Sequence, residues 1–206
     1  MIEACEALKK ADPKLGEAMD LIGPLDTTRR PVDFHTMVDT IVGQQLSGKA
    51  ADTIFRRLCQ GVACPDDGRL HPEMFDDFDP DGLRPMGLSR QKAGYILDLA
   101  ARTGRGEIFF DRFDALPDDE IIRELTAVKG IGVWTVQMIL MFSLGREDVL
   151  PVDDLGIQHG FRLLDGLAEK PKKAYMEERA EIWRPYRTLA CQYLWKIKDS
   201  GLYGQT

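Results

Sequence analysis

The sequence predicts an all-α protein made of two helical lobes. Apolar residues recur at helical spacing along most of the 206 residues, helix start and stop signals separate these segments, and the alternating pattern of a half-buried strand is nearly absent. We expect a central bundle over residues 34–145 that ends in two helices joined by a glycine hairpin. Residues 1–33 and 146–206 are expected to form the second lobe, with an active-site cleft between the two.

In the first half, the elements follow from caps and periodicity. A helix begins at Asp12-Pro13, where an N-cap precedes a proline at the first helical position, and ends near Gly23-Pro24. Apolar residues at helical spacing predict helices over 34–46 and 48–58. Residues 64–81 are rich in Pro, Gly and Asp, and they predict one short helix between loops.

In the second half, the same signals continue. Ser89 caps a helix that stops at Gly104 or Gly106. Residues 116–120 form a start signal that places acids on the positive end of the helix dipole, and this helix runs through Leu125. The remaining predicted helices lie at residues 133–144, 154–164, 171–183 and 185–198.

Composition and charge exclude several classes of function. No apolar run approaches the ~20 residues that span a bilayer, and the N-terminus carries no secretory signal, so we expect a protein of the bacterial-type cytosol, or of the nucleus in a eukaryote. The four cysteines are scattered, without CxxC and without pairing to a histidine, which argues against a zinc or iron–sulfur site. The net charge of −7 argues against DNA binding by bulk electrostatics, but local basic residues and backbone amides still can hold phosphates.

The glycine hairpin is the most informative segment. Gly130-Ile131-Gly132 joins two predicted helices by a tight turn that favours positive φ. Amides exposed at this turn and at the start of the next helix would form an anion pocket suited to a DNA phosphate; an ordinary corner between helices would carry the same glycines. Downstream, the segment 151–156 (PVDDLG) brings Asp154 to the start of a helix, where it is either a functional acid or a plain N-cap.

The hairpin and the PVDDLG segment together resemble the helix-hairpin-helix family of DNA glycosylases, and most of all its 3-methyladenine DNA glycosylase II branch. Further likeness at residues 43–47, 87–93 and 183–187 extends the resemblance over about 32–195. It implies a base excision repair enzyme that acts as a monomer, away from membranes, on double-stranded DNA containing alkylated bases such as 3-methyladenine or 7-methylguanine. Two alternatives stay open: a damaged-DNA-binding module without catalysis, and a glycosylase for other modified bases. Larger members of the branch carry an N-terminal β-rich domain before the helical core. Helical patterns begin at the start of this sequence, so a compact form without that domain is expected.

The resemblance also assigns the chemistry. Asp154 falls on the catalytic carboxylate of the family, and its neighbour Asp153 is expected to cap the helix or support the loop. Members that also cleave the DNA backbone carry a lysine two residues after the second hairpin glycine. Here that position is Trp134, so no Schiff base can form and we expect no AP lyase activity. The resemblance implies neither a cofactor nor a catalytic metal.

An aromatic pocket for the flipped base is the next implication. Trp134 and Trp195 match pocket positions of the branch, although core packing is the alternative for both. Met138 and Leu155 fall where the branch can carry aromatic rings, which suggests a different base preference. Trp183 is better interpreted as a core residue.

DNA contacts and an ion site complete the expectations from the resemblance. The residues expected to contact DNA are Gly130, Gly132, Lys129, Thr135, Gln45, Leu88, Ser89 and Arg90. Among them, Gln45 and the segment 88–90 are the candidates to fill the gap left by the flipped nucleotide. Gln44 and Gln45 could instead be polar residues at a helix end that bond backbone groups. A structural Na⁺ or K⁺ ion is expected on the carbonyls of Thr126, Val128 and Ile131.

Overall fold

The computed structural model describes residues 1–65 and 67–201 of the chain. Asp66, in the predicted turn-rich segment, and residues 202–206, in the predicted second lobe, lie outside the described residues. Within the described ranges no residue belongs to a β-strand, and the all-α prediction is confirmed. The α-helices are α1 (Ile2–Ala11), α2 (Pro13–Ile22), α3 (Phe34–Gly43), α4 (Gly48–Gly61), α5 (Arg90–Gly104), α6 (Asp118–Thr126), α7 (Val133–Phe142), α8 (Leu155–Asp165), α9 (Lys173–Arg179) and α10 (Arg187–Ser200). Short 3₁₀ helices lie at Pro72–Phe75, Arg84–Met86, Phe110–Arg112 and Ala180–Trp183.

The chain divides into two compact units. The terminal unit consists of Met1–Arg29 and Leu140–Thr206, and the central unit of Arg30–Ile139. The bounds differ by a few residues from the lobes expected at 1–33, 34–145 and 146–206. The first boundary falls four residues before the start of α3, and the second falls inside α7 rather than after it. None of the helices among the described residues is long and apolar enough to cross a bilayer.

In the terminal unit, a buried carboxylate joins the N-terminal helices to the C-terminal segment around residues 179–183. Asp12 is 3 % exposed and caps α2 by accepting from the Leu15 amide at 3.2 Å. Its Oδ2 also accepts from Arg179 Nη2 at 2.5 Å and from Trp183 Nε1 at 2.8 Å. The predicted N-cap is confirmed, and the same carboxylate neutralises an arginine more than 160 residues away in the sequence.

The core of the terminal unit is built where α10 packs against α8 and α2. Gly160 allows the closest approach, because a Cβ there would lie 2.6 Å from the Leu194 carbonyl oxygen. Trp183 is fully buried and stacks on Phe161 with ring centroids 5.1 Å apart, which confirms its interpretation as a core residue.

The central unit is organised around α3, which packs against α4 and α5. A capping box between Asp33 and Thr36 starts α3, and Ser89 starts α5 by accepting from the Lys92 amide at 3.2 Å. Local side-chain caps thus fix where these two helices begin. The buried face of the unit includes Val38, Ile41, Leu58, Ile96 and Leu99, all fully buried.

Candidate active site and DNA-binding hairpin

The glycine hairpin lies in the central unit, between the end of α6 and the start of α7. Val128 N–H donates to the Leu125 carbonyl at 3.1 Å, and Ile131 N–H donates to the Val128 carbonyl at 3.2 Å. Two consecutive tight turns therefore reverse the chain. The Gly132 carbonyl then accepts from Val136 N–H at 3.2 Å, which begins the hydrogen-bond ladder of α7.

Gly130 is fixed as glycine by the fold itself. Its φ is +82°, a conformation that residues with a Cβ rarely adopt. A Cβ at this position would also lie 2.1 Å from the Tyr95 ring. The Gly130 carbonyl accepts from Gln44 Nε2 at 3.0 Å, and the neighbouring Lys129 N–H donates to Asp98 Oδ2 at 2.9 Å. The hairpin is thus tied to the end of α3 and to α5.

Gly132 differs from Gly130, because its φ is not positive. A Cβ on Gly132 would meet no atom of the described chain within 4 Å, and the residue is exposed. The fold therefore does not require a glycine at this position. A close approach by a partner would require it, as when a backbone amide at a helix N-terminus binds a phosphate.

Replacing Gly132 with alanine is expected to weaken duplex DNA binding roughly tenfold, about the loss of one charge-assisted hydrogen bond. The free energy of unfolding should change by less than about 1 kcal/mol, because the backbone accepts an alanine at this φ. Fluorescence anisotropy and urea unfolding measure the two quantities. Gly104→Ala is the matched control, since a Cβ there also meets nothing within 4 Å and no contact with DNA is proposed for it. Equal affinities of wild type and Gly132→Ala would contradict a phosphate contact at this amide.

Two of the residues expected to contact DNA, Leu88 and Thr135, have buried side chains in the structure. Leu88 is 4 % exposed and Thr135 is 9 % exposed. The Leu88 side chain is thus not exposed to fill the gap left by a flipped nucleotide. Of its neighbours, Ser89 uses its hydroxyl to cap α5, whereas Arg90 is exposed and lies 3.5 Å from Asp81.

Gln45 remains a candidate to fill the gap left by a flipped nucleotide, and its backbone conformation is unusual. Its side chain is exposed and its φ is +59°, a left-handed value that is shared among the described non-glycine residues only by Ala63. Such conformations persist only where the surroundings hold them, and they cluster at functional sites. The alternative expectation, that Gln44 and Gln45 bond backbone groups, fits Gln44, whose side-chain amide donates to the Gly130 carbonyl.

The candidate acid lies in the terminal unit, at the start of α8. Asp154 is the N-cap, and its Oδ1 accepts from Ile157 N–H at 2.8 Å. The same oxygen accepts from Trp195 Nε1 at 2.8 Å, and the residue is half-buried. The positive end of the α8 dipole stabilises a negative charge at this place. Asp154 is therefore both a helix cap and a carboxylate oriented from outside its own helix.

Asp153 takes a different role from Asp154. It is exposed, and its carboxylate pairs with Lys173 Nζ at 2.6 Å. The expectation that Asp153 caps the helix is wrong, since Asp154 does so. The ion pair ties the PVDDLG loop to the start of α9, which fits the other expected role of Asp153, support of the loop.

Trp195 is joined to Asp154 by more than the hydrogen bond. Its ring stacks on Phe142 with centroids 5.8 Å apart. A Cβ on Gly156 would lie 2.7 Å from Trp195 Cδ1 and 3.0 Å from Asp154 Oδ1, so the glycine makes room for the indole beside the acid. Sequence reasoning missed Phe142 and the role of Gly156, because nothing local marks a contact with a helix some 40 residues further along.

The other residues expected in the base pocket belong to different units, and their side chains are exposed to different extents. Leu155, next to the acid, is 66 % exposed. Trp134, 48 % exposed, and Met138 are one helical turn apart on the central-unit part of α7, so they share one face of that helix.

The sequence matches a protein-family model over most of its length. The model, described as "HhH-GPD superfamily base excision DNA repair protein", matches residues 38–185. The chain belongs to this superfamily. The resemblance inferred from the hairpin and the PVDDLG segment is confirmed, as is the predicted place in base excision repair.

Among individual superfamily members, a relative from Schizosaccharomyces pombe named DNA-3-methyladenine glycosylase 1 is 39 % identical over 172 residues, 82 % of this chain and 74 % of the relative. The crystal structure of a DNA-3-methyladenine glycosidase from Bacillus halodurans superposes with a TM-score of 0.86 at 35 % identity, covering 97 % of this chain and 92 % of that one. The S. pombe 3-methyladenine DNA glycosylase in complex with abasic DNA gives a TM-score of 0.79 at 35 % identity, covering 99 % of each chain.

Proposed function

We propose that this protein is a monofunctional DNA glycosylase that hydrolyses the N-glycosidic bond of alkylated bases in double-stranded DNA. The observation that carries the proposal is the position of Asp154, whose Oδ1 is held by a helix-terminal amide and by the indole N–H of Trp195. A carboxylate oriented by donors from two helices suits electrostatic catalysis, because it needs little reorganisation during the reaction. The names of the relatives at 35–39 % identity support 3-methyladenine-type substrates.

The chemistry follows from the charge of the leaving group. A 3-alkylated or 7-alkylated purine is cationic, so the C1′–N bond breaks with its electron pair passing to the base, which leaves neutral. The sugar becomes oxocarbenium-like, and the negative charge of Asp154 stabilises it. Water then adds at C1′, and its proton passes to the carboxylate or to solvent. No general acid is needed, because the base departs without being protonated.

Recognition of the base is assigned to side chains near the acid and on α7. The nitrogen of Trp195 is committed to Asp154, so Trp195 would offer its ring rather than a hydrogen bond. Leu155 is exposed beside the acid, and Trp134 is exposed on α7. A cationic base over an indole gains about 0.5–2 kcal/mol, the higher values when desolvated. We therefore propose that Trp134, Met138, Leu155 and Trp195 select the base.

DNA binding is assigned to the hairpin and to the start of α7. The exposed Gly132 leaves its amide open to a phosphate, and the exposed side chain of Lys129 adds a cation nearby. The carbonyls of Thr126, Val128 and Ile131 would hold a structural Na⁺ or K⁺ ion, since neutral carbonyl oxygens suit such cations. Because Trp134 offers no amine, strand cleavage through a Schiff base is not part of the proposed activity.

Release of free base from methylated DNA tests the proposal. Duplex DNA treated with a methylating agent is incubated with excess enzyme, and chromatography quantifies the freed 3-methyladenine and 7-methylguanine. We expect release of methylated base, an intact sugar–phosphate backbone, and no covalent product with borohydride. Binding to methylated duplex without base release would favour a damage-binding module, and release of only oxidised or mismatched bases from defined duplexes would favour another substrate class.

A further inference from the structure

A partly buried lysine binds the C-terminal end of α3 in the central unit. Lys92, on α5, donates from Nζ to the carbonyls of Val42 at 2.7 Å and of Gln44 at 2.6 Å. Carbonyls at a helix C-terminus have no intrahelical partner and need donors from elsewhere. Two of the three ammonium hydrogens are therefore committed to the backbone.

Gln44 passes this constraint on to the hairpin. Its carbonyl is held by Lys92, and its side-chain amide donates to the Gly130 carbonyl at 3.0 Å. Residue 44 is thus fixed at both its backbone and its side chain. The next residue, Gln45, must leave this anchored point, and it does so in the left-handed conformation at φ +59°. After it, Leu46 N–H closes the turn onto the Gly43 carbonyl at 3.2 Å.

An open pocket lies beside this turn. Its volume is about 260 Å³, and Gln45, Lys92, Gly87 and Ser89 are among the residues that line it. Burial lowers the pKa of the Lys92 ammonium. The carbonyl contacts of Lys92 and the amide contact of Gln44 join the Leu46–Gly43 backbone hydrogen bond in holding the strained turn. Strain that supports an exposed side chain rather than a packed one points to a function outside the chain.

We propose that Lys92 is a positioning residue for DNA engagement, which acts by holding the strained turn so that Gln45 is presented to the gap in damaged DNA. The inference rests on the proposed function, in which Gln45 fills the space left by a flipped nucleotide. Lys92 itself is not assigned a phosphate contact.

The preference for damaged over undamaged DNA tests this role. The variants are Lys92→Met, which removes the donors while keeping the chain length, and Lys10→Met, an exposed lysine of α1 with no proposed role. Anisotropy is measured with a duplex that contains a stable abasic-site analogue and with the same duplex undamaged. We expect Lys92→Met to reduce the preference for the abasic duplex about tenfold, with little change on undamaged DNA, and Lys10→Met to leave the preference unchanged.

Salt dependence separates positioning from direct contact. A lysine that binds a phosphate contributes about 0.9 to the slope of log affinity against log salt, so removing it would flatten that slope. Positioning leaves the slope of Lys92→Met equal to that of wild type. A flattened slope, or equal weakening on both duplexes, would overturn the proposal in favour of a phosphate contact.

A double substitution tests the route through Gln45. Gln45→Asn keeps an amide on a residue that tolerates left-handed φ but shortens its reach. If Lys92 acts through this side chain, the variant with both substitutions binds the abasic duplex no more weakly than the weaker single variant. Additive losses would refute the route. Should Lys92→Met fail to fold, Lys92→Gln, which can retain one donor bond, replaces it in every comparison. Because only binding is measured, a wild type that releases no methylated base would contradict the proposed function without altering these results.

Discussion

The Asp154→Asn variant is expected to lose base release while keeping its affinity for damaged DNA. Asparagine is as good an N-cap as aspartate, and its Oδ1 can still accept from Ile157 N–H and Trp195 Nε1, the two donors bound in the structure. The substitution removes the negative charge and turns Oδ2 into an amide NH₂ group, which donates rather than accepts. We expect the single-turnover rate of 7-methylguanine release to fall by about 10²–10³-fold or more, the scale measured when one preorganised electrostatic group is removed.

A neighbouring acid supplies the matched control for the Asp154 experiment. Asp153→Asn removes an equal charge one residue away, but Asp153 is exposed and paired with Lys173, so its rate should stay within about twofold of wild type. Affinity for an abasic duplex should be similar in wild type and both variants. Turnover retained by Asp154→Asn would require a different catalytic residue and would remove the main support for the proposed mechanism.

The largest expected loss of stability comes from Asp12→Ala. This change removes the cap of α2 and leaves the Arg179 guanidinium, whose side chain is 18 % exposed, and the buried Trp183 N–H without their shared acceptor. Removing one partner of a buried ion pair costs about 3–5 kcal/mol. Asp165 still pairs with Arg179 at 3.2 Å, so we expect a value near the lower end, about 3 kcal/mol.

Urea unfolding measures the Asp12 effect, with an unchanged m-value as the check that the transition itself is the same. The control is Asp20→Ala in the same helix, because Asp20 pairs with Lys9 at the surface and exposed pairs contribute about 0–1 kcal/mol. If the two variants lose similar stability, the Asp12 network does not hold the ends of the chain together as described.

Local rules predicted most of the helices, and their failures have identifiable physical causes. Asp12 and Ser89 were predicted as caps because a cap depends on residues within one turn. Helix α1 was missed: only Ala4 and Leu8 are buried on it, too short a pattern to detect by periodicity. Its charged residues, Glu3 in the first turn and Lys9 and Lys10 in the last, suit the helix dipole and were the available signal.

At the candidate site, sequence reasoning identified residues but not their partners. The PVDDLG segment marked Asp154, but the hydrogen bond from Trp195 joins positions 41 apart and arises only from tertiary packing. Burial of Leu88 was equally invisible, since the glycine and serine beside it predict an exposed loop. The left-handed backbone of Gln45 had no signal at all, because glutamine rarely adopts that conformation.

The missing side chain at Gly156 links two positions in the evolution of this superfamily. Any larger residue there would overlap the indole at 195, so a homologue with alanine or serine at the equivalent of 156 has no space for that ring as it is placed in this chain. The two positions should therefore covary. Homologues with a larger residue at the first position are expected to orient their acid with a different donor.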